Sequence, residues 1–362
     1  MNNTCYEAAL LPLKNDLIDY NYFLDELLDA TAKLAVYKEK IADSKLSSQW
    51  FLPTLQQKEA LDSSKIEGTQ ATLDGVLTNQ ATSTNEDENT NEVINYTLAS
   101  RTGVRILAGE KFTDEFFKHI HEILMHGNVR KPDLIGEYRT QQNYIGKKDG
   151  THEITFVPPA PEKVPELMKN LISYMNSPSD SYKPLVRIAI IHAQFETIHP
   201  FMDGNGRVGR MLIPFYLYYT KQIELPCFFI SEALERDKIR YYNLLNNIRE
   251  KNDWNEWIKF FLGTVARQCD KYINIVSAIN GLYDRHLNIL NKNTKNSGVL
   301  PLMNMLYQYP ITTAKQLAEG TKIPLTSINR ILNLMVDEKI LATNGKKRNK
   351  IYIYYDLLDI IR

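Results

Sequence analysis

Cysteine is scarce in this chain: Cys5, Cys227 and Cys269 are the only three in 362 residues, and no Cys-x-x-Cys pair occurs. That spacing excludes a disulfide framework or a zinc knuckle and fits a reducing compartment. No run of ~18 uninterrupted apolar residues is present, so no membrane-spanning segment and no membrane partner are expected. The first residues carry Glu7, Asp16 and Asp19 among short apolar runs rather than the basic-then-apolar order of a secretory signal. The expected location is therefore cytoplasmic. Neither sign of charge dominates, with 43 Lys and Arg against 43 Asp and Glu. There is no internal repeat and no adjacent His-Glu-x-x-His pair. His192 and Glu196 therefore read as core residues, and His119, His121 and His126 as ordinary surface or partly buried histidines rather than a metal cluster.

What the chain does contain is enough apolar periodicity for more than one core, since 362 residues exceed the ~250–300 at which a single core stops growing. Residues 16–46 and 53–67 have helical spacing, with Pro53 placed to start the second helix and Gly68 to stop it. The stretch 78–92 is polar and aperiodic and reads as a surface loop. Residues 93–127 read as helices, and residues 184–198, apolar on nearly every face, as a buried central helix.

The densest chemistry lies in His199-Pro-Phe-Met-Asp-Gly-Asn-Gly-Arg-Val-Gly-Arg210. Gly204-Asn205-Gly206 can take positive φ angles and point amides into an anion cradle where a helix begins. Arg207 and Arg210 share a helix face and suit forked contacts to one polyphosphate. An imidazole, ordinarily titrating near ~6.5, is a fitting base for a hydroxyl proton. Val208, Met211, Leu212, Phe215, Tyr216 and Tyr219 continue as a core helix, in which Pro214 deprives the Arg210 carbonyl of its i+4 donor.

This stretch resembles the signature of the Fic family, His-Pro-Phe-x-Asp/Glu-Gly-Asn-Gly-Arg-x-x-Arg, at every specified position. The resemblance implies a mainly α fold: a Fic-type helical bundle with a short β-hairpin flap, here followed by a winged helix-turn-helix domain. It also implies transfer of AMP from ATP to a hydroxyl of a target protein, which includes the chain itself. By resemblance His199 is the catalytic base and Asp203 the Mg²⁺ ligand. Gly204, Asn205 and Gly206 form the anion hole, Arg207 and Arg210 hold phosphates, and Phe201 anchors the loop. Transfer of another nucleotide or phosphate-containing group stays open, as does a Fic-fold regulator that acts mainly through DNA or partner binding.

Ser63-Ser-Lys-Ile-Glu67-Gly68 puts a glutamate in a last helical turn, where the helix dipole disfavours it. It fits the Fic inhibitory pattern Ser/Thr-x-x-x-Glu-Gly/Asn, which implies that Glu67 pairs with Arg210 and displaces the ATP γ-phosphate, with Ser63 on the same helix face. Residues 136–146 and 154–161 read as a short hairpin. They resemble the Fic flap, so Gln142, Asn143, Tyr144, Ile145 and Gly146 are expected to hold a target segment by strand pairing. Tyr241 and Tyr242 stand where relatives border the adenine with tyrosines, although tyrosines at helical spacing also read as core. Trp254, Trp257, Phe260 and Phe261 read as packing.

The last part differs in charge. Residues 298–362 hold nine Lys and Arg against five acids, a net of +4, leaving −4 for the remainder. Helices are expected at 301–309, 312–320 and 324–338, the third capped by Thr326 or Ser327. A basic bend at 344–350 and a strand-like 351–355 follow. That order resembles a winged helix, with 324–338 as recognition helix and 344–350 as wing tip. Ser327, Asn329 and Arg330 could contact phosphates or base edges of DNA. Such modules also serve protein interaction and homodimer formation. The expected organisation is an N-terminal helical region at 1–92 with an inhibitory helix near 53–68, a Fic core at 93–262, a helical connector at 263–297 and the winged helix at 298–362.

Overall fold

The computed structural model describes residues 5–82, 88–127, 134–146, 154–346 and 348–362. In chain order the helices are α1 (Leu24–Ala42), α2 (Ser48–Ile66), α3 (Leu73–Thr82), α4 (Glu88–Leu107), α5 (Asp114–Leu124), α6 (Val164–Asn176), α7 (Pro184–Ile198) and α8 (Asn205–Tyr219). They continue as α9 (Ser231–Arg236), α10 (Lys238–Lys251), α11 (Trp254–Asn293), α12 (Val299–Gln308), α13 (Ala314–Thr321), α14 (Leu325–Asp337) and α15 (Tyr355–Ile361). The strands are β1 (Ile145–Gly146), β2 (Ile154–Phe156), β3 (Ile311–Thr313), β4 (Ala342–Thr343) and β5 (Ile351–Ile353). The molecule is thus mainly helical, with one two-stranded and one three-stranded antiparallel sheet among the described residues.

The chain divides into two units, residues 1–34 with 94–269 and residues 35–93 with 270–362. In the first, α7 packs on α6, α8 and α10. Every α7 residue from Ile188 to Ile198 is buried, which explains a sequence with no polar face. Pro184 opens that helix at its first turn, where a missing N–H costs nothing. The Trp257 indole donates to the Ala189 carbonyl at 2.9 Å, fixing α11 to the middle of α7. Phe112, Phe116, Phe117, Phe195 and Phe215 join in edge and stacked contacts beside it. Each such side chain contributes roughly 1.5–3 kcal/mol on burial. Gly103 lies against the Phe215 ring, where a Cβ would stand 2.4 Å from Cζ. The N-terminal segment forms neither helix nor strand over residues 5–13. It is tied down by Gln194 donating to Ala9 O and by a two-way exchange between Leu11 and Asn170.

In the second unit α2 packs on α12 and α3, and α3 lies along β3. The sheet order is β3-β5-β4. Several expectations are corrected. Pro53 does not start α2: the helix begins at Ser48 with Pro53 inside it, because Phe51, Leu52 and Leu55 are buried and the only bond lost is the one Gln49 O would accept. Gly68 does end it, at φ 102°. The polar stretch 78–92 is not one loop, since 78–82 close α3 and 88–92 open α4, while 83–87 lie outside the described residues. Its buried Ala81 and Thr90 carry the helices inward despite the polar composition.

At the C-terminal end Thr312 and Thr313 belong to strand β3 before α13 starts. Neither Thr326 nor Ser327 caps α14; Pro324 holds that position without a side-chain bond, and Ser327 Oγ accepts from Asn296. The strand at 351–355 stops at Ile353 and turns into the unexpected helix α15, whose Leu357, Leu358 and Ile361 are buried. The bend before β5 is built by Asn344, whose Oδ1 accepts from the amides of Lys346 and Ile351. Lys347 lies outside the described residues.

Candidate active site

The site is a junction between two buried helices. The α7 helix ends at His199, whose backbone is left-handed at φ 50°, ψ 60° and whose N–H donates to Phe195 O at 2.9 Å. A non-glycine residue adopts that conformation at a cost that its surroundings must offset. Gly204 precedes α8, also left-handed at φ 75°, and an added Cβ there would lie 2.8 Å from Met125 Sδ. Only glycine fits on both counts.

Between these helix ends the loop is stapled to itself. Asn205 Oδ1 accepts from Phe201 N at 2.8 Å while its Nδ2 donates to Phe201 O at 2.8 Å. The Asn205 amide is consumed by loop closure; its side chain shapes the cradle rather than reaching outward. Asp203 Oδ1 accepts from Gly204 N at 2.6 Å, yet its side chain remains 65% exposed. The expected run of positive φ angles is found at Gly204 alone. Asn205 and Gly206 are already helical, so an anion at this turn would meet the first-turn amides of α8, which have no intrahelical acceptor.

The two arginines are not surface side chains. Arg207 and Arg210 are 4% and 1% exposed in the first turns of α8. Arg207 Nη2 lies 4.0 Å from Asp203 Oδ1 and 3.4 Å from Met125 Sδ. Two buried guanidiniums at the positive end of a helix concentrate a field that suits a polyanion.

Two histidines support this junction, and sequence reading missed the part that one of them plays. His121, on α5, stacks on Phe201 with ring centroids 3.8 Å apart and planes within 4°. Gly136 N donates to its Nδ1 at 3.0 Å, so Nε2 carries the proton that it donates to Asp203 O at 3.1 Å. Burial holds its pKa down to about 4, opposed by the Asp203 carbonyl bond and assisted by the Arg207 charge, so the ring is neutral. His192, on α7, donates Nδ1–H to Gly209 O at 2.9 Å and accepts from the Tyr241 hydroxyl at 2.9 Å. Burial again lowers its pKa to about 4, the Gly209 bond opposing and Arg210 adding to the shift. Gly209 has no room for a side chain, because a Cβ would stand 2.2 Å from Glu196 Oε1. Nothing local in the sequence marks His121, whose partner is 82 residues away.

Tyr241 is 1% exposed and sits among His192, Tyr242 and Trp257; Tyr242 is 36% exposed. The structure therefore brings Tyr241 to the site as a core support, and leaves Tyr242 as the tyrosine with a ring at the surface.

The hairpin pairs Ile145 with Phe156 and Gly146 with Ile154; residues 147–153 lie outside the described part. At its base Gln142 Nε2 donates to Asn143 O and Pro158 O, bridging both legs. Asn143 is buried and donates to Phe201 O at 2.9 Å. Tyr144 is exposed, as is Gly146, and Ile145 is half-buried. Gln142 thus joins the two legs and Asn143 holds the hairpin to the loop, leaving 144–146 as its outward part. Ser63 is buried near the end of α2, and Glu67 is its C-cap residue, donating its N–H to Ser64 O at 3.0 Å.

A divalent ion fits Asp203: Mg²⁺ takes one or two carboxylates with waters and substrate phosphates rather than a cage of protein ligands. Its exposed carboxylate is such a donor, and no cluster of three or more His, Cys, Asp or Glu suited to a metal occurs among the described residues.

Helices α7 and α8 joined by this loop, with the hairpin tied to its middle, define a Fic-type helical domain. Residues 111–217 match the Fic/DOC family and residues 24–105 the Fic/DOC family N-terminal region, which places the chain in the Fic/DOC family. Among curated relatives it is 38% identical over 99 residues to protein adenylyltransferase fic-1 of Caenorhabditis briggsae, covering 26% of this chain and 18% of that protein. It is 29% identical over 170 residues to protein adenylyltransferase Fic of Aedes aegypti, covering 47% of this chain and 30% of that protein. The matches span less than a third of those relatives' length. A Fic family protein from Desulfovibrio desulfuricans shares the fold at TM-score 0.60 and 18% identity, over 93% of this chain and 97% of that one. Fic-1 (residues 134–508) from C. elegans does so at TM-score 0.53 and 19% identity, over 69% and 71%. No described helix is long and apolar enough to cross a membrane.

Proposed function

We propose that this chain is a protein adenylyltransferase that moves AMP from ATP to a hydroxyl side chain of a target protein, itself included. The observation that carries the reading is the α7–α8 junction, where His199, Asp203, the first-turn amides and two buried guanidiniums meet on one stapled loop. His199 takes the hydroxyl proton as the oxygen forms its bond to the α-phosphorus, and the bond to the β-phosphate oxygen breaks to release pyrophosphate. The amides of α8 with Arg207 and Arg210 receive the charge that develops on the phosphates. Asp203 holds Mg²⁺, which when bound neutralises phosphate charge. Residues 144–146 align the target strand, and Tyr242 borders the base. The names of the adenylyltransferase relatives support the donor and the reaction.

Self-restraint by Glu67 belongs to the same proposal and rests on the sequence pattern Ser63-x-x-x-Glu67-Gly68. A carboxylate that competes with phosphate for a guanidinium inhibits until it is removed. Glu67→Gly is expected to raise AMP incorporation at least ~10-fold, the order of one charge-assisted contact. The measurement is mass spectrometry after incubation with Mg-ATP and cell lysate. An AMP mass on a hydroxyl supports the reading, whereas a different phosphate-containing mass replaces the donor. No added mass on any protein leaves a Fic-fold regulator in its place.

A second reading concerns the C-terminal part. The order α12, β3, α13, α14, β4, β5 resembles that of a winged helix and supports this reading, and the exposed face of α14 carries Thr326, Asn329, Arg330 and Asn333. Those are residues that hydrogen-bond base edges, and the neighbouring bend adds exposed Lys346 and Arg348. Duplex DNA is the partner this chemistry suits, with a second copy of the chain as the rival. Anisotropy of a labelled mixed-sequence duplex should report binding that weakens as salt rises. Absence of binding at low salt removes the DNA role, and a concentration-dependent mass in its place favours the homodimer.

A further inference from the structure

Arg139 is 2% exposed, and among the described residues its side chain hydrogen-bonds to backbone carbonyls alone. Its Nε donates to His199 O at 2.9 Å. One terminal nitrogen donates to Ile198 O at 3.3 Å and to Pro159 O, and the other reaches Gln141 O at 3.5 Å. Its own N–H donates to Pro200 O at 2.9 Å. A buried guanidinium that, among the described residues, hydrogen-bonds no carboxylate and feels the Glu162 charge only through space is an expensive residue to keep for packing alone. Here the last carbonyls of α7 supply the compensating negative end of a helix dipole.

We propose that Arg139 is a positioning residue that locks the left-handed backbone of His199 to both legs of the hairpin. This inference rests on His199 being the catalytic base. The geometry gives the guanidinium a distinct task at each end. At one end it fixes Ile198 and His199 through their carbonyls, beside the main-chain bond from Arg139 N–H to Pro200 O, so the imidazole leaves the chain in one direction. At the other it fixes Gln141 and Pro159, the residues where the hairpin departs and returns. The base and the segment that presents the target hydroxyl thus share one rigid fork, which sets their separation without contacting either reactant. Phosphate contacts are left to α8, so substrate nucleotide affinity is independent of it. A lysine supplies charge at the helix end but not the planar fork.

The test uses the full chain in the Glu67→Gly background with Arg139→Met and Arg139→Lys. For Arg139→Met, kcat for AMP transfer is expected to fall by about 10²-fold, as a misplaced reacting group does. KM for ATP and calorimetric ATP affinity should stay near the parent's, and Arg139→Lys should recover part of kcat. Unchanged kcat in folded Arg139→Met overturns the proposal, as does a loss expressed in KM for ATP. Imidazole NMR of nitrogen-15 histidine-labelled protein reads the same point without turnover. The His199 signals should move in either variant while those of His192 stay, and stationary His199 signals overturn it. Should the Glu67→Gly parent transfer no nucleotide, the functional reading fails, while the NMR result still decides Arg139. If thermal melting shows that Arg139→Met does not fold, Arg139→Lys carries both measurements.

Discussion

His199→Ala, placed in the Glu67→Gly background, is expected to cut AMP incorporation by about 10²–10⁴-fold, the share of a rate that a positioned general base supplies. ATP affinity should change little, because the phosphate-directed groups lie on α8 and the imidazole lies beyond the end of α7. The variant also carries a structural cost, since alanine must accept φ 50°, a conformation that costs an L-residue roughly 1–2 kcal/mol. His199→Asn separates the two effects, since asparagine tolerates that backbone but is no base. Kinetics of both variants with labelled ATP, alongside melting curves, make the check. Transfer at the parental rate in either one would remove His199 from the mechanism and with it the reading of the junction.

The second large effect is a loss of stability in mild acid. His192 is fully buried and held neutral near 4 by desolvation, whereas an unfolded histidine titrates near ~6.5. The unfolded chain therefore binds a proton that the folded chain refuses. The contribution of this residue is complete above the unfolded value and declines as pH falls through the window from 6.5 toward 4. Between pH 7 and pH 5 the expected loss is about 2 kcal/mol from this residue. Protonation would also remove the acceptor for the Tyr241 hydroxyl, leaving two donors face to face. Denaturant midpoints at several pH values for the parent and for His192→Gln measure it. The glutamine variant is less stable at neutral pH but should show a flatter profile. Parallel profiles would mean that His192 does not titrate with unfolding.

The junction was readable from the chain because its geometry is local. A helix of apolar residues, two prolines, three glycines and three arginines fall within residues 184–210, and backbone preference places them. What surrounds it was not readable. His121 reaches Asp203, Arg139 reaches His199 and Tyr241 reaches His192 across 82, 60 and 49 residues, and no period or motif encodes such pairings. Asn205 was read, by resemblance, as part of the anion hole; what the sequence did not show is that its side-chain amide closes the loop on Phe201. The helical core and the hairpin were legible in outline. Helix α15 was not, since Ile351–Tyr355 alternates like a strand until Tyr354, whose side chain turns inward beside Tyr307 and His286. Pro53 misled because a proline inside a helix is tolerated where burial on either side outweighs one missing bond.

One carbonyl has a reach beyond its size. Phe201 O accepts from Asn205 in the loop and from Asn143 at the hairpin base, filling both of its lone pairs. A chimera that imports the hairpin of another family member must therefore bring an amide to position 143, or strand that oxygen half-satisfied under the imported segment. Under the proposed function, target preference would be exchanged from residue 144 outward, while the two positions before it travel with the scaffold.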